Sequence, residues 1–253
     1  FILISVFCIK VLIDVTIPFN NLLRYYSLSW VFGLLLPSKI GEFSLAFFLK
    51  KESIPLAKGL SISLLDKVIS FLIFFIVSSF GFFLFFTPLQ SLSLIVICLF
   101  ILLFFILFLT LNYDRMFFFL PQKYISILKD FTKEIRYFFR YYRGRIYLNL
   151  FLSTIRWGIN ALILLLIFLS LGVSVNFFVI YTINAIIALV SLIPITINGL
   201  GIRQSIGVLL FSKIGIESVI ALNMLLIQLI LTYAFAFLFY VYYNTISSER
   251  HLG

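Results

Sequence analysis

The chain has 253 residues, a net charge of +10 and a composition dominated by apolar side chains. Hydrophobic residues make up 63%, charged residues 11%, and the mean hydropathy is +1.21, whereas a soluble domain is typically about 45–50% apolar and about 25% charged. This composition excludes an ordinary soluble domain. It predicts an all-α, polytopic transmembrane helical bundle in which residues 1–253 form a single membrane domain.

The chain begins with an apolar segment, residues 1–17, interrupted only by Lys10 and Asp14. We interpret it as the remnant of a first membrane helix. The first residue is Phe1 rather than methionine, so we expect an N-terminal part to precede it. Lys10 and Asp14 lie four residues apart, so on a helix they would share one face and could pair.

The next apolar segment, residues 25–49, is broken by Pro37, Lys39, Gly41 and Glu42. Pro37 lacks an amide hydrogen, and Gly41 permits a turn where a side chain would clash. The two charges cost several kcal/mol at membrane depth unless they are paired or hydrated. The apolar run before the break is shorter than the ~20 residues of a span. Two alternatives stay open: a kinked helix, or a helix that ends and re-enters.

Two long stretches without charged residues, 68–113 and 157–202, dominate the middle of the chain. Each is long enough for two membrane spans separated by a turn. The predicted spans are 68–87, 92–111, 148–171 and 176–193. Arg156 lies near the start of the third of these, where we interpret it as an anchor that extends to the interface.

Between these stretches lies the basic loop 112–147, with eight Lys and Arg residues against three acids. The positive-inside bias places such a loop in the cytoplasm, and we expect the chain to lie in the plasma membrane. The same bias explains the net charge without a nucleic-acid partner. Interleaved aromatic residues indicate a helix on the membrane surface that favours anionic headgroups. The alternative is a topology signal whose side chains extend to the interface without specific lipid binding.

A second break follows at residues 194–211, where Pro194, Gly199 and Gly201 interrupt the apolar sequence again. We predict a broken or re-entrant segment there, followed by a last span at 219–243. The residues singled out in the second break are Pro194, Asn198, Gly199, Gly201, Arg203 and Gln204.

The segments after the two breaks are similar to each other. Ile54–Asp66 can be aligned with Ile216–Gln228, each after a proline-glycine break, a short helix and a polar turn. The similarity indicates either an internal repeat or a chance match between apolar sequences. A repeat matters because transporters often place broken helices from two repeats near the membrane midplane.

Three motifs carry a resemblance to a known family: Pro37-x-x-x-Gly41-Glu42, the Leu-Leu-Asp-Lys of residues 64–67, and the second break up to Gln204. Together they resemble the lysylphosphatidylglycerol synthase transmembrane family, also described as flippase-like. Asn198 and Gln204 depart from the glycine and glutamate common in that family, and Ser70 stands where an acid is usual. The resemblance implies lipid handling.

The main functional hypothesis is a flippase-like protein that holds a phospholipid or polyprenyl-phosphate headgroup between the two breaks and moves it between leaflets. The alternative is a membrane subunit of a lipid-directed glycosyl- or aminoacyltransferase system, with a cytoplasmic transferase as partner. A third is a scaffold without transport. We expect no enzymatic activity, cofactor or metal site in this chain, since no His/Cys/acid cluster suits a metal and the single histidine lies in the tail.

The candidate substrate-binding residues are polar groups at or near the breaks. Glu42 could steer a cationic headgroup, pair with Lys39 or Arg203, or complement a helix dipole. Arg203 could hold a lipid phosphate or act as an interfacial anchor. Asp66 could pair with Lys67 or Arg203, or mark the membrane edge. The full set is Glu42, Arg203, Asp66, Lys39, Gln204 and Asn198.

Overall fold

The fold was analysed in a computed structural model of the chain. The structure describes residues 1–36, 40–96, 99, 103, 122–191, 196 and 199–249, and for 122–128 and 244–249 it describes the backbone alone. Pro37, Lys39, Pro194, Asn198, residues 112–121 and most of the predicted span 92–111 lie outside this part. The described part is built from helices and contains no strand, which confirms the predicted all-α class.

The helices follow each other in this order. They are α1 Ile2–Leu12, α2 Phe19–Leu35, a 3-10 helix Ile40–Ser44, α3 Leu45–Leu49, a 3-10 helix Lys50–Glu52, α4 Leu56–Phe85, α5 beginning at 88 and described to 96, α6 Gln122–Tyr141, α7 Arg143–Ser170, α8 Phe177–Val190, α9 Ile202–Lys213 and α10 Ser218–Glu249. Within the described residues, α4, α7 and the 218–243 part of α10 are long and apolar enough to cross a membrane.

The first break turns the chain back on itself. The 3-10 and short α-helical segment after the break runs antiparallel to α2: Ser29 Oγ donates to the Glu42 carbonyl at 2.6 Å, and Tyr25 stacks on Phe48 with ring centroids 5.9 Å apart. Farther along, Tyr25 also donates to the Glu52 carboxylate at 2.9 Å. Residues 19–52 therefore form a re-entrant pair, called hairpin A here, which decides between the two alternatives left open by the sequence.

Helix α4 follows hairpin A and begins well before the predicted span 68–87. Ser53 adopts a left-handed conformation with φ 62°, and Pro55 at the N-cap has the fixed φ suited to a helix start. The helix then continues without interruption to Phe85. At 1.5 Å per residue, Asp66 lies about 15 Å along it. Asp66 therefore lies within a continuous helix and not at the helix start, and its position relative to the membrane edge stays a prediction.

The second break also turns the chain back. Gly199 and Gly201 have φ of +72° and +84°, a conformation that side chains disfavour. A Cβ on Gly199 would lie 3.2 Å from Ser191 Cβ, and one on Gly207 would lie 3.1 Å from Ile187 Cδ1. Helix α9 therefore returns along α8, and residues 177–213 form hairpin B. This confirms the prediction of two broken or re-entrant segments.

The two hairpins enter the bundle from opposite ends. The end where hairpin A begins and returns is called the basic face; there Asp14 pairs with Lys58 at 2.6 Å, and Ser61 Oγ donates to the Phe131 carbonyl of α6 at 3.2 Å. The end where hairpin B begins and returns is called the opposite face; there Lys213 Nζ donates to the Phe85 carbonyl at 2.9 Å. The pairing of Asp14 corrects the proposed pairing with Lys10, because α1 ends at Leu12.

The internal similarity corresponds to equivalent structural positions. In the alignment of Ile54 with Ile216, Leu56 is matched with Ser218, and these are the first residues of α4 and α10. Each hairpin is therefore followed by a long helix that starts at the same aligned position. Since Tyr233 Oη of α10 donates to the Leu34 carbonyl at 3.2 Å, α10 runs alongside α2 toward the basic face. The two units are inverted relative to each other, which favours the repeat over a chance match.

Helix α6 packs on the protein with one side. Ile135 and Phe138 are buried, and Phe138 joins the core formed by α1, hairpin A and α4. Tyr137, Phe139 and Tyr141 on the other sides are exposed. Helix α6 is thus amphipathic and covers α4 at the basic face. Contact of its exposed residues with lipid stays a prediction.

Candidate functional site

A buried ion pair joins α4 to α7 inside the bundle. Arg156 Nη1 lies 3.2 Å from Asp66 Oδ1 and 3.3 Å from Oδ2, and its Nη2 donates to Ser70 Oγ at 2.6 Å and to Ser153 Oγ at 3.1 Å. Asp66 is 0% exposed and Arg156 2%. A charge removed from water this completely is tolerated because the counter-charge and hydroxyls replace the lost hydration.

A second ion pair joins α4 to hairpin A. Lys67 Nζ contacts the Glu42 carboxylate and lies 3.5 Å from Asp66 Oδ2. The Glu42 side chain lies over Gly33 of α2, where a Cβ would be 2.4 Å from Glu42 Cγ. Glu42, Lys67, Asp66 and Arg156 therefore form one connected group, called the charge cluster here, with two positive and two negative charges.

The polar contacts of the charge cluster extend to α1. Ser153 Oγ donates to Asn149 Oδ1 at 3.3 Å, and Asn149 Nδ2 donates to the Cys8 carbonyl at 2.7 Å. Cys8 is a buried free thiol. These neutral contacts join α7 to α1, so the side of the cluster that holds Arg156 lies at a hydrogen-bonded helix interface.

A small crevice opens beside the charge cluster, between hairpin A, α1 and α4. Its cavity volume is about 10 Å³, roughly the room of one water molecule and far below the ~300–1,000 Å³ typical of sites for drug-sized ligands. In this conformation it can admit about one water molecule, and a lipid headgroup can enter only if the surrounding helices move apart. Its polar and aromatic lining consists of Tyr26, Ser29, Trp30, Glu42, Ser63, Asp66 and Lys67.

The turn of hairpin B presents a different arrangement. Arg203 is half-buried, packs against Gly199, and interacts electrostatically with Tyr233. Among the described residues it makes no ion pair with a carboxylate. Gln204 Oε1 accepts from the Gly201 amide at 2.8 Å and so caps the start of α9. Because Tyr233 also bonds to Leu34 of hairpin A, it connects the ends of both hairpins.

The structure brings some predicted site residues together and separates others. Glu42 and Asp66 share Lys67 as a partner. Arg203 does not pair with either of them, so the proposed pairings of Glu42 and Asp66 with Arg203 are wrong. Gln204 completes a helix start in the described fold. Lys39 and Asn198 lie outside the described residues.

Sequence reasoning missed the central role of Arg156. The interpretation as an anchor reaching the interface is wrong, because the side chain is buried and paired with Asp66. Its position gave a usable signal: an arginine well inside the apolar α7 sequence is costly unless it has a partner. The partner lies 90 positions away in the sequence, so spacing alone could not identify it.

The described fold and charge cluster define a class of protein: an integral, helical membrane protein in which two re-entrant hairpins enter from opposite faces. The chain matches the family described as "Lysylphosphatidylglycerol synthase TM region" over residues 1–239 and belongs to that family. No curated protein and no solved structure was found that matches the chain. Among the described residues, no group of three His, Cys, Asp or Glu side chains could hold a metal ion.

Proposed function

We propose that the protein moves a lipid headgroup between leaflets, with the headgroup held between hairpin A, α4 and the turn of hairpin B. The observation that carries this proposal is the charge cluster on the wall of a crevice, about 15 Å along α4 from its start. Charged groups buried within a long apolar helix are costly and commonly mark ion or substrate pathways. Membership of the lysylphosphatidylglycerol synthase transmembrane family supports a lipid as the substrate.

In this proposal the protein lowers the cost of moving a charged headgroup through apolar surroundings. A headgroup that leaves water loses hydration worth several kcal/mol. The charge cluster supplies both signs of charge on one side of the path, and Arg203 supplies a cation at the turn of hairpin B. The protein would act as a carrier and not as a catalyst of bond formation. A phospholipid and a polyprenyl-phosphate lipid share the phosphate that such cations would bind.

The test is lipid exchange between leaflets of reconstituted liposomes. Fluorescent anionic, aminoacylated and polyprenyl-phosphate lipids would be compared by quenching of the outer leaflet. We expect wild type to exchange one lipid class, and Glu42→Gln and Arg203→Ala to abolish that exchange while remaining folded. Matched controls are Glu217→Gln and Arg140→Gln, which change exposed charges outside the site and should exchange lipid as wild type does.

The absence of exchange for every lipid class would contradict the proposal. It would favour a membrane subunit that presents lipid to a cytoplasmic transferase, and purification with that partner would then restore a lipid-directed reaction. Exchange that persists in both Glu42→Gln and Arg203→Ala would instead remove the two hairpins from the path.

We further propose that the basic face is the cytoplasmic face of the plasma membrane, because short loops rich in Lys and Arg stay in the cytoplasm. In a background with Cys8 and Cys98 replaced by serine, a cysteine at Arg140 should react with a membrane-impermeant thiol reagent only after cell lysis. A cysteine at Ser212, exposed near the opposite face, should react in intact cells. The reverse pattern would invert the orientation.

A further inference from the structure

Lys67 differs from the other members of the charge cluster in its accessibility. Its side chain is 33% exposed, whereas the side chains of Glu42, Asp66 and Arg156 are 10%, 0% and 2% exposed. Lys67 also lines the crevice beside the charge cluster. A group that enters the crevice therefore meets an ammonium ion before it meets Arg156.

The contacts of Lys67 are suited to exchange. An ammonium group is a compact charge with three donors on a flexible stem, and Lys67 divides its contacts between Glu42 of hairpin A and Asp66 of its own helix. Asp66 retains Arg156 at 3.2 Å when Lys67 turns away. An incoming anion can therefore replace the contact between Lys67 and Glu42 without leaving Asp66 unpaired.

From this arrangement we infer that Lys67 is the phosphate-binding residue of the site and that the phosphate takes the place of the Glu42 carboxylate. The exchange substitutes one anion for another on Lys67, so the charge balance around the ammonium is kept. It also breaks the ion pair between hairpin A and α4. Binding of the phosphate thereby allows hairpin A to move relative to α4. The role of this movement in lipid transport rests on the proposed function.

The crevice must widen before a phosphate can enter it fully. Its cavity volume of about 10 Å³ holds about one water molecule, so a phosphate oxygen first reaches the exposed side of Lys67 at the mouth. Ser29 and Ser63 supply hydroxyls on the same lining, and Trp30 supplies an aromatic wall. The rest of a headgroup would enter only after hairpin A has moved, which makes phosphate binding the first step.

The chain offers a direct reporter of binding, because it contains only two tryptophans. Trp30 lines the crevice, whereas Trp157 packs between Phe1 and Phe74, with centroid distances of 5.5 and 4.4 Å. In the full chain carrying Trp157→Phe, fluorescence therefore reports on Trp30. The probes would be inorganic phosphate, short-chain phosphatidylglycerol and short-chain diacylglycerol, all in detergent micelles.

We expect phosphatidylglycerol to change the Trp30 fluorescence saturably, and diacylglycerol, which lacks phosphate, to leave it unchanged. Glu42→Gln should bind the phosphate lipid about tenfold more tightly, the factor given by 1.4 kcal/mol of removed competition. Because no carboxylate then returns to displace the lipid from Lys67, the same variant should not complete lipid exchange. The double variant Lys67→Met/Glu42→Gln removes both members of the pair, so it leaves no unpaired charge there, and it should bind at least about tenfold more weakly than Glu42→Gln. Lys58→Met, on the surface pair with Asp14, is the matched control and should bind as wild type does.

The outcomes separate this inference from the proposed function. Equal affinity of Glu42→Gln and the double variant would overturn the assignment of Lys67, even if liposomes still exchange lipid. The expected binding pattern without lipid exchange would support the phosphate site and contradict the transport proposal. Saturation by inorganic phosphate at the same concentration as by phosphatidylglycerol would support phosphate recognition and identify free phosphate as the ligand source.

Discussion

Hairpins A and B share the same antiparallel helix–turn–helix topology but are held in the bundle by different interactions. Hairpin A is joined to α4 by the Lys67–Glu42 ion pair, next to the buried Asp66–Arg156 pair. Hairpin B makes no ion pair within the described part of the chain. It is held by the bond from Lys213 to the Phe85 carbonyl and by neutral contacts such as the Asn184–Asn160 hydrogen bond of 3.0 Å to α7 and the approach of Gly81 to Thr182. The single cation at its turn, Arg203, has no carboxylate partner among the described residues.

This difference assigns separate tasks to the two halves of an inverted repeat. Ion pairs can exchange partners with a charged ligand, while a close-packed neutral interface responds to volume rather than charge. In the proposed function, hairpin A is therefore the half that can respond to a headgroup. Hairpin B is the half that supplies a wall with one cation, Arg203, at its turn. Substitutions that remove charge and substitutions that change volume should accordingly affect the two halves unequally.

The largest effect is expected for Asp66→Asn. It leaves Arg156 buried without its counter-ion, and breaking a buried ion pair in this way typically costs about 3–5 kcal/mol. The apparent unfolding temperature in detergent, followed by loss of the monodisperse peak in size-exclusion chromatography, should fall sharply. The exposed-site variant Arg140→Gln should stay within ~0.5 kcal/mol of wild type.

A double variant sharpens this prediction. Asp66→Leu/Arg156→Met removes both charges, and replacing a buried pair by apolar residues is often close to neutral. It should therefore unfold at a higher temperature than Asp66→Asn. Equal loss in the single and double variants would show that Asp66 stabilises the fold through something other than Arg156.

The next effect concerns volume and compares Gly41 with Gly207. An alanine Cβ at Gly41 would lie 2.1 Å from the Phe32 carbonyl oxygen, a backbone atom that cannot move aside. At Gly207 the nearest atom is Leu225 Cδ1, 2.6 Å away at the end of a flexible side chain. We expect Gly41→Ala to cost about 1–3 kcal/mol or more, and Gly207→Ala less.

Gly158 supplies the matched control for these substitutions. A Cβ there meets nothing within 4 Å, and the residue lies inside α7. Gly158→Ala should raise stability by up to about 1 kcal/mol through helix propensity. If Gly41→Ala were as well tolerated as Gly158→Ala, the close antiparallel packing of hairpin A on α2 would be refuted.

A smaller effect is expected for the neutral contact of hairpin B. Asn184→Leu removes the hydrogen bond to Asn160 and leaves one amide without that partner, at a cost of about 1–3 kcal/mol. Asn160→Leu/Asn184→Leu should recover part of this loss. Lipid exchange should continue in the double variant, because no charge of the site is changed. Loss of exchange with intact folding would show that hairpin B does more than supply a wall.

The smallest effect is a pH dependence at the basic face, outside both hairpins. Burial alone would raise the pKa of Asp14, but the hydrogen bond and charge of Lys58 outweigh it and hold that pKa below its usual value. The stabilisation is therefore present above the unfolded pKa of about 3.9 and is lost as the pH falls through the folded pKa.

Asp14→Asn measures this contribution. The pair is partly exposed, so the loss at neutral pH should be no more than about 1 kcal/mol. The difference in unfolding temperature between wild type and Asp14→Asn should shrink as the pH is lowered from 6 toward 3. A difference that stays constant over this range would assign the effect to packing instead of charge.

The sequence was sufficient to predict the class, the two breaks and most of the helices. Long apolar runs fix where helices lie, since a buried backbone must form its own hydrogen bonds. Proline, glycine and charge at residues 37–42 mark an interruption for the same reason. The start of α4 was missed because Asp66 and Lys67 were interpreted as a boundary, although their partners allow the apolar helix to pass through them.

The charge cluster could be predicted only in part. Glu42 and Asp66 stand out because a carboxylate in apolar sequence needs a partner. Which partner it has depends on tertiary packing: Arg156 reaches Asp66 because α7 runs parallel to α4, and Lys67 reaches Glu42 because hairpin A turns back toward α4. Neither relation leaves a periodic signal in the sequence.

The even balance of the charge cluster has an electrical consequence. Two carboxylates and two cations sum to zero, so any rearrangement that moves the whole group together carries no net charge across the membrane field. A membrane potential acts with ~2.3 kcal/mol per elementary charge per 100 mV. The inferred movement of hairpin A relative to α4 instead carries the one negative charge of Glu42 away from the rest of the cluster. A voltage dependence in the exchange of a zwitterionic lipid would therefore report the movement of hairpin A rather than the charge of the lipid.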